Sequence, residues 1–543
     1  MEALNRAYGT GYPAWDAVEL PMPPVEKESR TSLRNPRPAY SLPYEDFKAA
    51  KEKIQQEYYE GFIARDFRKI DPYHPFAIYY YGDAETEYIR TTPEFFRKNP
   101  GLIQRNGGNE IAGVWNKQYM HFRAYENTPT MSEDVRVYAD TLKDWQSNIF
   151  NGARIGRLGV HFFNYSLILA QKKNGKTEVY HTDHHHPAIA RFFQGLRKEA
   201  FSVLGKTEPM PPKVAVYYNY YDNVRTGTCP ANELFYSRFL AEPINDRFVD
   251  RLRKHYKVLL FDSGAPILPE KAADAIVDWV REGGTLILTP ATAAWQVEKL
   301  AEKLPGDHPV HPPLQHGHYL LERLGIPLPE EGRWGSKIAG AFRGKSVSKT
   351  RFPNTPVLDF LNGESTYLFP KGSYPQAEVL AVLESPAAVA GNPCALEFKI
   401  GKGCVILLSQ YPRTKGTELY GDLLTSLGVP RYLSFSGTEG GRDEYFNKML
   451  GYRLHVSDGS EVLMVQYSNN KPDPHFTPER GGDKEPFRRY VRAHLLPKGR
   501  YQVFEISDGR RALGTFSADE LDKKGIPADF HFNELKIFHL IQE

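Results

Sequence analysis

Residues 256–290, YKVLLFDSGAPILPEKAADAIVDWVREGGTLILTP, decide how the chain is read. YKVLLFDS (256–263) and GGTLILTP (283–290) are short apolar runs without polar alternation, and a helix over about 269–282 lies between them. A strand that is apolar on both faces has to be covered on both faces. A strand–helix–strand order with such strands therefore signals a parallel α/β sheet. Outward from this unit, KVAVYYNY (213–220) supplies a strand before it and GKGCVILLSQ (401–410) one after it. A further helix over about 417–427 stops at Gly428. Together these elements make a doubly wound α/β domain. Its middle, about 305–395, is rich in Pro and Gly and carries no clear period.

On the N-terminal side, KTEPMPPK (206–213) marks a boundary. Before it, residues 1–42 are loop-like, with Pro21, Pro23, Pro24, Pro36 and Pro38 interrupting any period. A helix is expected over 44–66, where Phe47, Ala50, Ile54, Tyr58 and Phe62 recur at helical spacing. Strands are expected at PFAIYYYG (75–82), EIAGVW (110–115), YMHFRAY (119–125) and LGVHFFNYSL (158–167). The stretch between 83 and 110 reads as a loop. Val135, Tyr138, Leu142, Trp145 and Ile149 line one helix, and Ile189, Phe192, Leu196, Ala200 and Val203 another. Four strands alternating with helices amount to half of a barrel. After about residue 445 the pattern turns all-β, with YRLHVSDGSEVLMVQYSNN folding back at Asp458-Gly459. RRYVRAHLL, RYQVFEISDG and LKIFHLI continue it.

Composition narrows the function classes. The 543 residues are 41% hydrophobic and 25% charged, and 69 basic less 66 acidic residues leave +3. No long basic block is present, so no nucleic-acid partner is expected, and no apolar run approaches ~18 residues, so no membrane partner is expected either. Three separated cysteines (Cys229, Cys394, Cys404) exclude a disulfide scaffold and a cysteine-based zinc module. None of them sits on a glycine-flanked strand-to-helix elbow, where a nucleophilic thiol would be placed. No signal peptide is visible, so the cytoplasm is the default compartment. Tyr and Phe, 33 and 31 in number, exceed ordinary core needs, and exposed rings are what a sugar cleft uses.

A resemblance follows from four stretches. LNRAYGTGYPAWDAVELPMPP (4–24) resembles the segment after the acid/base strand of glycoside hydrolase family 42, the β-galactosidases, where the pattern is close to LN-x-A-W-G-T. AYENTPT (124–130) resembles the segment that carries that family's nucleophile. GARIGRLGVHFFNYS (152–166) with GKTEVYH (175–181) resembles its last barrel strand and the Glu/His loop beyond. KVAVYYNY through GGTLILTP resembles its amidotransferase-like trimerisation domain. The resemblance implies an α/β chain of three parts: the C-terminal half of a (β/α)8 barrel over 1–208, an amidotransferase-like doubly wound domain over 209–435, and a C-terminal β-sandwich over 436–543. It also implies a retaining glycosidase, a homotrimer and no cofactor.

Under that resemblance Glu126 is the nucleophile. It follows an expected strand, at the barrel mouth where such enzymes hold their chemistry; otherwise it is a solvated residue ahead of a helix. The acid/base should follow an Asn at a strand end. The Asn-Glu pairs at 109–110, 232–233 and 533–534 lie elsewhere, as does the mouth residue Asp83. The acid/base is therefore expected outside the chain, on a separate N-terminal half-barrel polypeptide, in a longer form of the protein, or lost in an inactive one. Glu178 and His181 match the sugar-contacting pair. TEVYHTDHHHP (177–187) holds four His, one Glu and one Asp, so a zinc site competes with hydroxyl recognition. Successive His184, His185 and His186 side chains point apart in any regular structure, and no metal is expected. Trp15, Trp115, Tyr125 and Tyr165 are candidates for stacking on the sugar, with core filling as the alternative, and Asn164 for a hydroxyl contact. A carbohydrate-binding or scaffold subunit without turnover is the rival function. Tyr8, standing where Trp is usual, and the His cluster leave the sugar open.

Overall fold

In a computed structural model of the chain, the residues described are 1–8, 10–18, 66, 68–70, 76–79, 102–105, 146, 149–150, 169–173, 176–180, 187–217, 234, 238–244, 249–261, 268, 270–290, 295–297, 314–316, 319–333, 342–360, 365–410, 412, 417–441, 449–467, 486–531 and 534–543. They fall into two compact units, each assembled from separated segments. One takes Met1–Ile70, Pro212–Glu233 and Ala241–Val429; the other takes Asp71–Pro211, Leu234–Leu240 and Pro430–Glu543.

The first unit is built on a nine-stranded sheet. Its parallel half runs Ala241–Ile244, Val214–Tyr217, Val258–Phe261, Thr285–Leu288, Gly403–Leu408 across the sheet. By chain order that is 2-1-3-4-5, the strand order of one class of doubly wound sheet. Every residue of the strands at 214–217, 258–261 and 285–288 is buried, so both sheet faces are covered, as parallel pairing demands. Helix Glu270–Glu282 covers one face with Ala272, Ala273, Ile276, Val277, Trp279 and Val280, a 3–4 spacing that puts one stripe on the sheet.

The stretch without a readable period supplies the other half of this sheet. Pro393–Ile400, Glu378–Ser385, Arg343–Ser346 and Val357–Asp359 extend it by antiparallel pairing. Register shifts in the pairings of Glu378–Ser385 explain why strict alternation is lost in the sequence.

The second unit holds an antiparallel six-stranded sheet in the order Arg511–Ser517, Arg500–Glu505, Leu535–Gln542, Glu461–Tyr467, Met449–Val456, Thr207–Pro209. A three-stranded sheet, Leu433–Ser436, Phe487–Ala493 and Ile526–Phe530, shares its core through Phe435, Val465, Val491, Val503, Phe530 and Phe538. The segment read as a domain boundary thus contributes an edge strand, and Pro209 is tolerated there because edge positions need no amide donor. Strands 449–456 and 461–467 fold back as read: Val456 N–H donates to Ser460 O at 2.9 Å, and Gly459 takes φ +89°, the left-handed region.

Also in this unit, Phe76–Tyr79 pairs in parallel with Leu102–Arg105. That second strand lies where the sequence reads as loop. Its apolar pair Leu102-Ile103 is too short to show a period. Hairpin Leu169–Lys173/Lys176–Tyr180 follows. The single helix read over 189–203 is two, Pro187–Lys198 and Ala200–Leu204, split at Glu199 with φ −147°. Helix 44–66 and the strands read at 110–115, 119–125 and 158–167 lie outside the described residues, save Asp66 at the end of the helix.

Candidate active site

Two of the sequence-derived site residues lie in described backbone. Trp15 opens the single turn Trp15–Ala17 and is 68% exposed. The segment before it is tied by one amide. Asn5, in helix Glu2–Tyr8, accepts at Oδ1 from Thr10 Oγ1 (2.8 Å) and Tyr12 N (3.0 Å), while its Nδ2 donates to Tyr12 O at 2.8 Å. Asn5 and Thr10, two residues of the LNRAYGT stretch, thus fix the turn that leads to Trp15.

Glu178 lies on the second strand of the hairpin 169–180, directly opposite Gln171. The same register pairs Leu169 with Tyr180 and Lys173 with Lys176. Ala170 pairs with Val179 and Lys172 with Thr177.

Glu126, Trp115, Tyr125, Asn164, Tyr165 and His181 lie outside the described residues, as do Asp83, Glu110 and Glu233. Of the alternative acid/base positions, Glu534 is described and is engaged elsewhere: it accepts from His531 N at 2.8 Å and from Lys536 Nζ at 2.9 Å, inside the sandwich unit.

Other clusters have catalytic-looking geometry. Ser434 Oγ lies 2.6 Å from His494 Nε2, and His494 Nδ1 lies 2.6 Å from Asp522 Oδ1. Ser434, however, is completely buried in its strand, so no carbonyl can reach it. The three side chains join strand 433–436 to helix 518–523 and act as a clasp. Burial lowers the His494 pKa, and the neighbouring Arg431 and Arg492 add to that, against the opposing pull of Asp522. A second set, Asp458, Ser460 and His539, closes the hairpin turn with 2.6 and 2.7 Å contacts, and burial lowers His539 as well.

Neither described cysteine has the setting of a nucleophile. Cys394 and Cys404 are buried, and desolvation pushes both thiols up. Cys404 Sγ rests 3.4 Å from Thr285 Oγ1 between paired strands. Among the described residues no group of three His, Cys, Asp or Glu is placed to hold a metal, and no helix is long and apolar enough to cross a membrane.

No protein-family model matches the sequence, and no curated protein matches it. Solved structures do match. The β-galactosidase of Bacillus circulans sp. alkalophilus superposes with a TM-score of 0.57 at 14% identity, covering 99% of this chain and 74% of its own. The cold-adapted β-galactosidase of Rahnella sp. R3 gives 0.53 at 13%, covering 99% and 73%. A catalytic mutant of a GH42 β-galactosidase from G. stearothermophilus gives 0.52 at 13%, again covering 99% and 73%. At such identities the likeness concerns backbone architecture alone. Over nearly its whole length, the chain shares the fold of the glycoside hydrolase family 42 β-galactosidases.

Proposed function

We propose that the chain is a glycoside hydrolase of the β-galactosidase type that cleaves β-linked sugars with retention. One observation carries this reading: 99% of the chain superposes on a β-galactosidase. In this reading residues 1–208 form the C-terminal half of the catalytic barrel, 209–435 an amidotransferase-like trimerisation domain and 436–543 the sandwich. Glu126 attacks the anomeric carbon. Trp15, Trp115, Tyr125 and Tyr165 stack on the sugar rings, and Asn164, Glu178 and His181 bind hydroxyls. The acid/base is supplied by a second polypeptide or a further part of the protein, since none of the three Asn-Glu pairs ends a strand expected in the barrel half. The assembly is a homotrimer.

The reading has a direct test that does not depend on the acid/base. An aryl leaving group as acidic as dinitrophenol departs without protonation, so glycosylation of Glu126 proceeds without a general acid. Incubation with dinitrophenyl β-galactoside is expected to give a burst of one phenolate per chain. A 2-deoxy-2-fluoro donor is expected to add one glycosyl mass, on the peptide that contains residue 126. Glu126→Gln should abolish both. Absence of burst and mass addition in the wild type, or their persistence in the variant, removes the hydrolase reading.

The placement of Glu534 in the sandwich favours a second reading, in which the chain binds carbohydrate without turning it over. That reading expects glycan binding with neither burst nor adduct.

A further inference from the structure

We propose that Arg492 is the centre of an oxyanion site on the outward face of the three-stranded sheet, fitted to a single carboxylate or sulfate group.

Strand Phe487–Ala493 places Val491 and Ala493 in the sandwich core, so Arg492 between them faces the other way. Its cross-strand partner on one side is Ser434, whose hydroxyl is already engaged with His494 at 2.6 Å. On the other side the paired strand begins at Ile526, opposite Val491, and the residue before it is Gly525. A Cβ at Gly525 would meet Arg492 Cγ at 2.8 Å and the Val491 carbonyl oxygen at 3.0 Å. The arginine stem therefore lies along the space that a side chain at 525 would need, and its guanidinium is half-buried.

Among the described residues that guanidinium has neither a hydrogen-bond acceptor nor an ion-pair partner. Nε is the one of its three nitrogens that is closed off from solvent; Nη1 and Nη2 stay open. The carboxylates of helix 518–523, strand 526–530 and loop 437–441 are all taken by other groups. Asp522 lies 2.6 Å from His494, Asp519 2.5 Å from Lys523, and Glu439 3.8 Å from Lys524. Glu520 accepts from Ser517 N at 2.8 Å. Asp529 is held by Arg488, whose Nε and Nη2 reach its two oxygens at 2.8 and 2.9 Å.

The comparison with Arg488 is direct. Both arginines stand on the same strand, four residues apart, and so on the same face. One closes its fork on a carboxylate of the chain, and the other has no such carboxylate. The positive field around Arg492 is also felt by its neighbour: Arg431 and Arg492 both act against protonation of His494, whose first cause of a lowered pKa is burial. A partly desolvated cation without a counter-charge is costly, and an oxyanion at the open Nη pair removes that cost. Carboxylate and sulfate each present two oxygens at the spacing of a guanidinium fork, which recognises them better than a point charge does.

The test is calorimetric titration of the full chain with sodium acetate and sodium sulfate, against sodium chloride, at constant ionic strength. At least one oxyanion is expected to bind with a Kd of about 1–10 mM, and chloride to give no saturable heat. Arg492→Gln should weaken that binding about tenfold or more, the effect of losing a charge-assisted hydrogen bond. Arg492→Lys keeps the charge without the fork and should fall between the two. Lys402→Gln, which removes an exposed cation of the α/β unit, should change nothing. Before any oxyanion is added, Arg492→Gln should melt no lower than wild type, because it removes an uncompensated charge. Comparing acetate with sulfate tells which group the fork prefers. Absence of saturable binding for both oxyanions overturns the inference, as does binding that is unchanged in Arg492→Gln or lost equally in Lys402→Gln. So does an Arg492→Gln variant whose sandwich unit melts well below wild type, since the guanidinium would then serve the fold. None of these results touches the hydrolase reading, because Arg492 is no part of the proposed sugar site.

Discussion

At the scale of single residues, the described side chains with perturbed protonation are structural, and they make the protein sensitive to pH in two windows. Burial keeps His494 and His539 neutral, so their folded-state pKa values lie below that of an unfolded histidine. The unfolded chain then binds more protons, and stability is complete above the unfolded value of about 6.5 and falls as pH drops through it. Thermal melts between pH 7.5 and 5 should show the sandwich unit losing stability below about pH 6.5. His494→Gln should flatten that slope. An unchanged slope would mean that the imidazole is protonated in the fold. Glu397 operates lower on the scale. Its burial opposes ionisation, but the hydrogen bonds and charges of Arg351 (2.7 and 2.8 Å) and Lys399 outweigh it and hold the carboxyl below the ordinary range. A depressed carboxyl stabilises the fold above the unfolded value of about 4.3, and that stability is lost as pH falls through the folded one. Arg351→Met would strand a carboxylate that is 1% exposed with only the solvated Lys399 beside it. Loss of about 3 kcal/mol is expected from urea melts at pH 7, with a smaller loss near pH 4, where protonation relieves the stranded charge.

At the scale of elements, one close approach fixes a strand of the α/β unit and one cap closes a helix of the other unit. Gly403 begins the central strand 403–408 where helix 270–282 ends. A Cβ there would meet both the Gly284 and the Val280 carbonyl oxygens at 2.2 Å, and these are backbone atoms that cannot rotate away. Gly403→Ala is therefore expected to destabilise the α/β unit by about 3 kcal/mol or to prevent its folding, read as loss of its melting transition. A melt within error of wild type would show that the strand can slide. Ser517 and Glu520 form a reciprocal cap at helix Ala518–Lys523. Ser517→Ala should cost about 1 kcal/mol in a urea melt, and an unchanged midpoint would mean that the cap adds nothing there. These elements also mark the limits of legibility. The parallel strands and helix 270–282 were readable because continuous apolar runs and a 3–4 stripe state their environment directly. The antiparallel extension over 343–400 was not, since register shifts break its alternation. Strand 102–105 was too short to signal itself. Of the proposed site residues, sequence marked Trp15 and Glu178, but Asn5, which organises the turn before Trp15, announces itself only through its hydrogen bonds.

At the scale of the whole molecule, neither unit is a continuous stretch of chain, and this bears on where the protein can be cut. The sandwich unit draws on residues 187–211 as well as on Pro430–Glu543. Thr207–Pro209 closes the edge of strand 449–456, and Lys206 O accepts from Ser457 N at 3.0 Å. Lys198 pairs with Asp508 at 2.8 Å and Glu199 with Arg510 at 3.1 Å, while Arg510 also lies over the Phe504 ring at 4.0 Å. Exposed ion pairs of this kind contribute little singly. The covered strand edge and the apolar faces of Leu196, Ala200, Val203 and Leu204, all buried, matter more. A fragment of residues 430–543 alone bares a strand edge and an apolar patch, the two features that invite edge-to-edge association. It is expected to self-associate in light scattering and to melt below a single-chain fusion that restores residues 187–211. The gap should be roughly 4–8 °C for each kcal/mol of interface regained. Equal melting temperatures and a monomeric short fragment would show that the helical segment rides on the sandwich without supporting it, and that a boundary near 430 is sufficient. A gap would place the structural boundary at 187, inside the stretch that the motif order assigns to the barrel half.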